Sequence, residues 1–309
     1  MGARRGLAWL TMAAVLVVPT LTACRSSAST GAKDAVSVVA STDVWGDVTA
    51  QVAGNEAGHA VRITSIINDP VQDPHSYEAN ARDRIALDRA DLVIKNGGGY
   101  DDFVGKLLGD SAGPTTIDAV TVAGNRAKVD GQPNEHVWYD FPTVAAVAGK
   151  IAGALTTNDP ANAVSYQRNL NSFLDALAGL EKREAGLSQN HAGVGVAITE
   201  PVPLYLLRAC GLVNRTPPQF SAAVEEGTDV APRALQQTLA LFSAHQVQTL
   251  VYNEQTVDVG TARASGAAKA AGIPVVGMTE TLPRGQSYLS WMSSNLTALQ
   301  NALGASSSG

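Results

Sequence analysis

Two histidines and two glutamates are the residues of this chain whose types and positions could hold a metal ion. His75 lies in the segment QDPHSYE and His136 in the segment NEHVWYD, where nearby prolines restrict the backbone that carries each imidazole. Glu200 and Glu280 each follow an apolar run in the second half of the chain. Neutral imidazole nitrogens combined with carboxylate oxygens suit Mn²⁺, Fe²⁺ and Zn²⁺. Taken singly, either histidine could instead be a packing residue and either glutamate a surface carboxylate.

The charge of this donor set favours a divalent cation. Two neutral imidazoles and two carboxylates supply two negative charges, which would neutralise such an ion in a partly buried site. A soft Cu(I) site is not expected, because no thiolate accompanies these donors. The donors are far apart in the sequence, so the elements that carry them decide whether they meet.

The segments around the candidate donors alternate between strand and helix patterns. Short β-branched runs predict strands, and runs with apolar residues three or four apart predict helices. This alternation predicts an α/β fold of two lobes, each a mostly parallel sheet flanked by helices. The predicted strands are 36–40, 61–67, 91–95, 194–199, 248–252 and 274–278, and the predicted helices are 45–52, 82–90, 103–108, 204–210, 232–244, 261–271 and 287–303.

Three of the four candidate donors follow the ends of predicted strands. These are His75, Glu200 and Glu280. Open α/β sheets bind their ligands beyond the carboxyl ends of the strands. The pattern therefore predicts a ligand site built from loops at these strand ends.

A helical pattern without an internal proline joins the two predicted lobes. It begins at Asp159-Pro160 and continues for about 30 residues, which at about 1.5 Å each make a rod about 45 Å long. A core helix of one domain also fits, but the length favours one long backbone helix between lobes. The predicted divisions are a first lobe at 36–158, the linking helix at 159–189 and a second lobe at 190–309.

Residues 1–24 have the pattern of an export signal. Arg4 and Arg5 precede an apolar stretch that is shorter than a typical membrane span and ends in the letters LTAC. This ending resembles a bacterial lipobox, in which Cys24 would be lipidated and become the new N-terminus. The small, polar residues 25–35 are then a flexible tether. An ordinary secretory signal with an incidental cysteine is the alternative. The lipobox predicts a protein anchored to the outer face of the cytoplasmic membrane.

The chain contains 2 cysteines, and lipidation of the first would leave Cys210 without a partner. Cys210 lies in an apolar helical run, which predicts a buried, unreactive thiol. The net charge is −6 and no stretch is rich in Lys or Arg. Nucleic-acid binding needs clustered basic residues, so that class of partner is not expected.

Taken in order, the segments of this chain resemble the family 9 solute-binding proteins, the zinc- and manganese-binding lipoproteins of ABC importers. The resemblance runs from about residue 36 to about residue 300, and DPHSYE followed by ADLVIKNG is its most specific part. The segment NEHVWYD departs from the family, which more often has Asp-Pro before this histidine. The other matching segments are VVASTDVWGDVTAQVAG, ITEPVPLYLLRACGL and VVGMTETLPRGQSYLSWMSSNL.

The resemblance implies a metal site and a role. It implies His75 and His136 as ligands from the first lobe, with Glu200 and Glu280 from the second. The fourth position is usually Asp in the family, and Asp258 is the alternative to Glu280. The implied function is capture of Zn²⁺ or Mn²⁺, with Fe²⁺ behind, and delivery to the membrane permease of an ABC importer. A monomer is expected, with modest lobe movement because the long helix restricts it.

Two other classes of function compete with this interpretation. A metal-dependent hydrolase would need an open metal position with bound water and a nearby general base. The chain has no His-Glu-x-x-His helix and no nucleophile elbow, and Gly97–Gly99 lacks the spacing of a phosphate-binding loop, so an enzyme is not expected. A surface adhesin lipoprotein is the third interpretation, and no segment encodes a particular partner for it.

Overall fold

The first half of the chain forms a parallel sheet of 4 strands in the order β2-β1-β3-β4. The computed structural model describes residues 1–2, 35–70, 72, 74–109 and 113–305. The strands and helices of this half are β1 Val36–Thr42, α1 Asp43–Ala53, β2 Val61–Ile67, α2 Ala81–Asp88, β3 Leu92–Lys95, α3 Asp102–Leu108, β4 Thr115–Asp118, α4 Ala119–Ala123, the hairpin strands β5 Lys128–Val129 and β6 Gln132–Pro133, and α5 Phe141–Asn158.

A long helix and a second parallel sheet of 4 strands follow. The sheet has the order β10-β9-β7-β8. When the strands of each sheet are counted in chain order, the first strand lies between the second and the third, and the fourth strand pairs with the third. The elements are α6 Ala163–His191, β7 Gly195–Ile198, α7 Leu204–Ala209, β8 Val213–Asn214, α8 Pro218–Glu225, α9 Pro232–Ser243, β9 Leu250–Asn253, α10 Val259–Ala270, β10 Val275–Met278 and α11 Tyr288–Ala305.

Both faces of the inner strands β1 and β3 are covered, which explains the apolar runs 38–40 and 92–94. In β1, Val38 and Ala40 join the main hydrophobic core, while Val39 between them joins a smaller cluster with Leu87 and Val104. Successive side chains of a strand point to opposite faces, so a strand covered on both faces favours apolar residues at successive positions.

The helix α6 connects the halves and shares in their core. Its buried face carries Tyr166, Leu170, Phe173 and Leu177 at helical spacing. It packs against α1 and α5 of the first half and against α7 and α11 of the second half. The main core contains residues of both halves, and from Ala35 onwards the chain packs as one compact unit.

The predicted fold class is confirmed, and the elements predicted from periodicity are present with small changes at their ends. The sequence patterns missed β4, α4, the short hairpin, β8 and α8, which are short or begin at prolines. The predicted signal at 1–24, the lipidated Cys24 and nearly all of the tether lie outside the described residues. The lobe boundaries near residues 158 and 190 stay predictions.

Cys210 is buried and free, as its sequence context predicts, and burial raises the pKa of its thiol to about 12. Among the described residues, none of the helices is both long and apolar enough to cross a bilayer.

Candidate metal centre

His75 lies in a short 3-10 turn, Pro74–Ser76, between β2 and α2. The segment after the turn is anchored by Tyr77, whose ring packs 4.9 Å from that of Phe103 and whose hydroxyl donates to Asp83 at 2.9 Å. Asp83 also accepts from the backbone of Asn80 in the capping box of α2. The first candidate ligand is thus held by a proline turn on one side and a capped helix on the other.

His136 is fully buried and its ring orientation is set by Asn134. The Oδ1 atom of Asn134 accepts from the backbone N–H of His136 and lies 2.9 Å from its Nδ1. Since an amide oxygen only accepts, the ring nitrogen facing it carries the proton, and Nε2 is left as the atom with a lone pair. This is the arrangement in which an imidazole binds a metal through Nε2.

Glu280 follows β10 and is held by two residues of the neighbouring β9 loop. Asn253 donates to its Oε1 at 2.8 Å, and the backbone N–H of Glu280 donates to the side-chain oxygen of Gln255 at 2.5 Å. With Oε1 occupied in this way, Oε2 is the oxygen that faces the histidines.

A third carboxylate, Glu225, enters the cluster from the helix α8. It is the last residue of α8, which begins at Pro218 and buries Phe220 and Val224 against the second half. Glu225 was not among the residues predicted from sequence, because α8 itself was not predicted. The available signal was a proline start, two apolar residues four apart and a glycine soon after, which together indicate a short capped helix.

The four side chains converge on one point. The Oε1 atom of Glu225 lies 3.5 Å from Nε2 of His75 and 3.3 Å from Nε2 of His136. The Oε2 atom of Glu280 lies 3.8 Å from each of the same two nitrogens. Donors bound at about 2.1 Å to a tetrahedral ion stand about 3.4 Å apart, so these separations fit one shared cation.

Several atoms of the cluster are buried yet have no hydrogen-bond partner in the described part of the chain. They are Nε2 of His136, both oxygens of Glu225 and Oε2 of Glu280. Buried polar atoms are nearly always hydrogen-bonded, so a group of them facing one another needs an explanation. A cation at the centre would satisfy all of them at once.

The carboxylates of the cluster feel both burial and the imidazoles. Burial raises the pKa of Glu280, an effect that His136 only partly offsets. Burial acts on Glu225 in the same direction, but His136 and His75 together outweigh it and leave its pKa below the usual value. Glu225 is therefore the carboxylate held most firmly in its charged form.

Glu200 lies beside the cluster. Burial, followed by the charges of Glu280 and Glu225, raises its pKa to about 8. Among the described residues, no group of three candidate donors within 4.8 Å of one another includes it. The alternative ligand Asp258 caps α10 by accepting from Thr261 at 2.7 Å and is likewise outside these groups.

The glycine turn at Gly97–Gly99 positions an aromatic wall for the site. All three glycines have positive φ, and a side chain at Gly97 would collide with the carboxylate of Asp118. The turn places the buried ring of Tyr100 5.0 Å from His75 and 6.1 Å from His136. Such apolar surroundings lower the local dielectric constant and strengthen the attraction between a cation and its carboxylate ligands.

Hydrogen bonds between the halves hold the ligand loops together. Tyr205 donates to the backbone oxygen of Asn134 at 2.7 Å, and Asn134 donates in turn to that of Pro201 at 3.1 Å. On the other side, Gln255 donates to the backbone oxygen of Pro70 at 2.6 Å. The segments that carry His136 and Glu280 are therefore each supported by hydrogen bonds between the first and the second half of the chain.

Comparison with known proteins identifies the family of this chain. The family model described as ZnuA, zinc-uptake complex component A periplasmic, matches residues 38–302. The metal ABC transporter substrate-binding lipoprotein ScbA of Streptococcus cristatus is 31% identical over 180 residues, which are 52% of this chain and 55% of ScbA. The iron ABC transporter substrate-binding lipoprotein MtsA of Streptococcus pyogenes serotype M1 is 27% identical over 256 residues, 73% of this chain and 79% of MtsA.

The match to ScbA spans only about half the length of that relative. Among solved structures, the Ni²⁺ complex of the SBP FpvC from P. aeruginosa has a TM-score of 0.70 at 20% identity, covering 88% of this chain and 98% of that one. An Mn-bound periplasmic metal binding protein from Candidatus Liberibacter asiaticus has a TM-score of 0.66 at 20% identity, covering 86% and 98%. These structures share the fold. Because the family model extends over most of the chain, this protein belongs to the ZnuA family of the family 9 solute-binding proteins.

Proposed function

We propose that this protein captures one divalent transition-metal ion outside the cytoplasmic membrane and delivers it to the permease of an ABC importer. The ligands in this proposal are His75, His136, Glu225 and Glu280, here named the four-donor set. The observation that carries the proposal is that buried, unpartnered oxygens of Glu225 and Glu280 lie 3.3 and 3.8 Å from the buried, unpartnered Nε2 atom of His136. The protein carries its ion and does not transform it.

The composition of the four-donor set limits the choice of ion. Two nitrogens and two carboxylates suit Zn²⁺, Mn²⁺ and Fe²⁺, and the intrinsic affinity order favours Zn²⁺ for almost any such site. The names of the relatives divide between metals, with manganese for ScaA of Streptococcus gordonii and iron for MtsA. We propose Zn²⁺ or Mn²⁺ as the cargo, ahead of Fe²⁺.

The two halves contribute equally to the four-donor set, which suggests how the ion is released. His75 and His136 come from the first half, and Glu225 and Glu280 come from the second. A small separation of the halves lengthens bonds from both sides together. An importer that binds the carrier and moves the halves slightly apart would therefore lower the affinity for the ion steeply.

The test of the function is metal analysis across pH. We expect one ion per chain in protein purified without chelators at about pH 7.5, and its release as the pH falls to about 5, because protons compete with the ion for the donor atoms. The raised pKa of Glu280 acts in the same direction, since its carboxyl takes up a proton earlier than an ordinary one. Inductively coupled plasma mass spectrometry of dialysed samples, with Mn²⁺ and Zn²⁺ in competition, measures the metal content per chain and its loss as the pH falls. Metal content that is zero, or flat with pH, would contradict the proposal.

We further propose that the carrier is lipid-anchored through Cys24 and acts as a monomer. The relatives ScbA and MtsA are both named as lipoproteins, which supports the anchor. We expect Cys24→Ala to abolish lipidation and release the protein from the membrane fraction, as followed by metabolic labelling with a palmitate analogue. Cys210→Ala is the matched control and should remain anchored. Labelling of the Cys24→Ala variant at the wild-type level would refute the assignment.

A further inference from the structure

We propose that His75, Glu135 and Glu225 form a second, outer metal site, which holds a divalent cation on its way to the four-donor set. This inference rests on the proposed function and adds a route to it. One donor atom from each of these three residues lies within 4.8 Å of the other two. The three residues are therefore close enough to bind one ion together.

The outer site shares two ligands with the four-donor set and lies nearer to solvent. The side chain of His75 is 27% exposed and that of Glu225 is 14% exposed, whereas that of His136 is 0% exposed. Glu135 is half-buried. An ion arriving from water therefore reaches His75 and Glu135 before it reaches the buried oxygens of Glu225 and the ring of His136.

Asn96 and Gly98 help to hold Glu135 at this position. Its carbonyl accepts from the side-chain amide of the buried Asn96 at 2.9 Å. A Cβ atom on Gly98 would lie 3.1 Å from the Cβ atom of Glu135. The absence of a side chain at Gly98 therefore leaves space for the side chain of Glu135. The turn that supports Tyr100 thus also makes space for the outer carboxylate.

Stepwise ligand exchange is the chemical advantage of such an arrangement. A hydrated divalent cation must lose its water molecules before it can enter a buried site, and removing them all at once is costly. At the outer site it exchanges some waters for His75, Glu135 and Glu225. Moving inward then requires the exchange of Glu135 for His136 and Glu280, while the two shared ligands stay bound.

The kinetics of Glu135→Gln test this route. A ligand used only in transit lowers the barrier in both directions, so its loss should slow binding and release together and leave the equilibrium affinity nearly unchanged. We expect both rate constants for Mn²⁺ to fall about tenfold, within the range in which local charge alters association rates. Stopped-flow tryptophan fluorescence measures them, because Trp138 packs 5.1 Å from His136. An excess of chelator gives the release rate.

Glu226→Gln is the matched control, since it removes the same charge from an exposed neighbour of Glu225. Its effect should be small and should vanish at high salt, because exposed charges are screened beyond about 10 Å at 0.1 M salt, whereas the effect of Glu135→Gln should persist. Equal rates for Glu135→Gln and Glu226→Gln would overturn the outer site. A faster release at an unchanged binding rate would also overturn it, because Glu135 would then be a ligand of the final site. A wild-type protein that binds neither Mn²⁺ nor Zn²⁺ would instead overturn the proposed function.

Discussion

Replacing His136 with alanine is expected to lower the affinity for Mn²⁺ and Zn²⁺ by more than about a hundredfold, since even the loss of a residue that only supports a ligand costs up to about that much. His136 supplies a buried donor that no solvent molecule replaces easily, and it also supports the charge of Glu225. Isothermal titration with a competing chelator measures the loss.

The matched control for this variant is His59→Ala, which removes an exposed histidine outside the cluster. Its affinity should equal that of the wild-type protein. Thermal unfolding of the metal-free proteins separates a lost ligand from a lost fold, because His136→Ala also leaves a cavity and removes the ring that contacts Asn134. A folded His136→Ala variant with wild-type affinity would end the four-donor proposal.

The second large effect is expected from Glu225→Gln. This substitution keeps the shape of the side chain but removes the charge that lies 3.3 Å from one imidazole and 3.5 Å from the other. We expect the affinity for either ion to fall by more than about tenfold, because an amide oxygen is a weaker ligand and the site keeps only one of its two negative charges. The same chelator competition measures it.

Glu200→Gln is the informative comparison, because the sequence resemblance implied Glu200 as the third ligand and the structure brings Glu225 to the histidines. With its pKa raised to about 8, Glu200 is largely protonated in the metal-free protein at neutral pH, so its replacement by an uncharged amide changes little. We expect less than about a threefold change in affinity for this variant, because an uncharged amide replaces a mostly uncharged carboxyl. A large loss in Glu200→Gln together with none in Glu225→Gln would restore the ligand set implied by the resemblance.

Local sequence was sufficient for much of this fold. The inner strands β1 and β3 contain short apolar runs, and in strands covered on both faces such runs have few other ways to bury their side chains. The helix α6 was predictable for the same reason, since its apolar residues lie on one face over its whole length. The turn at Gly97–Gly99 also follows from local conformation, because all three residues require positive φ.

His75, His136 and Glu280 were candidates from sequence because each stands beside a recognisable strand, turn or proline. Glu225 carries no such mark, because a glutamate at the end of a short helix is ordinarily a solvated surface residue. What makes it a candidate ligand is the packing of α8 on the second half, which turns its carboxylate toward two imidazoles from the first half. The sequence by itself thus determined the fold class and most of the longer elements, and it predicted His75, His136 and Glu280 as donors. Only the tertiary structure decided which carboxylates meet the histidines, since contacts between residues far apart in the chain depend on how all the elements pack together.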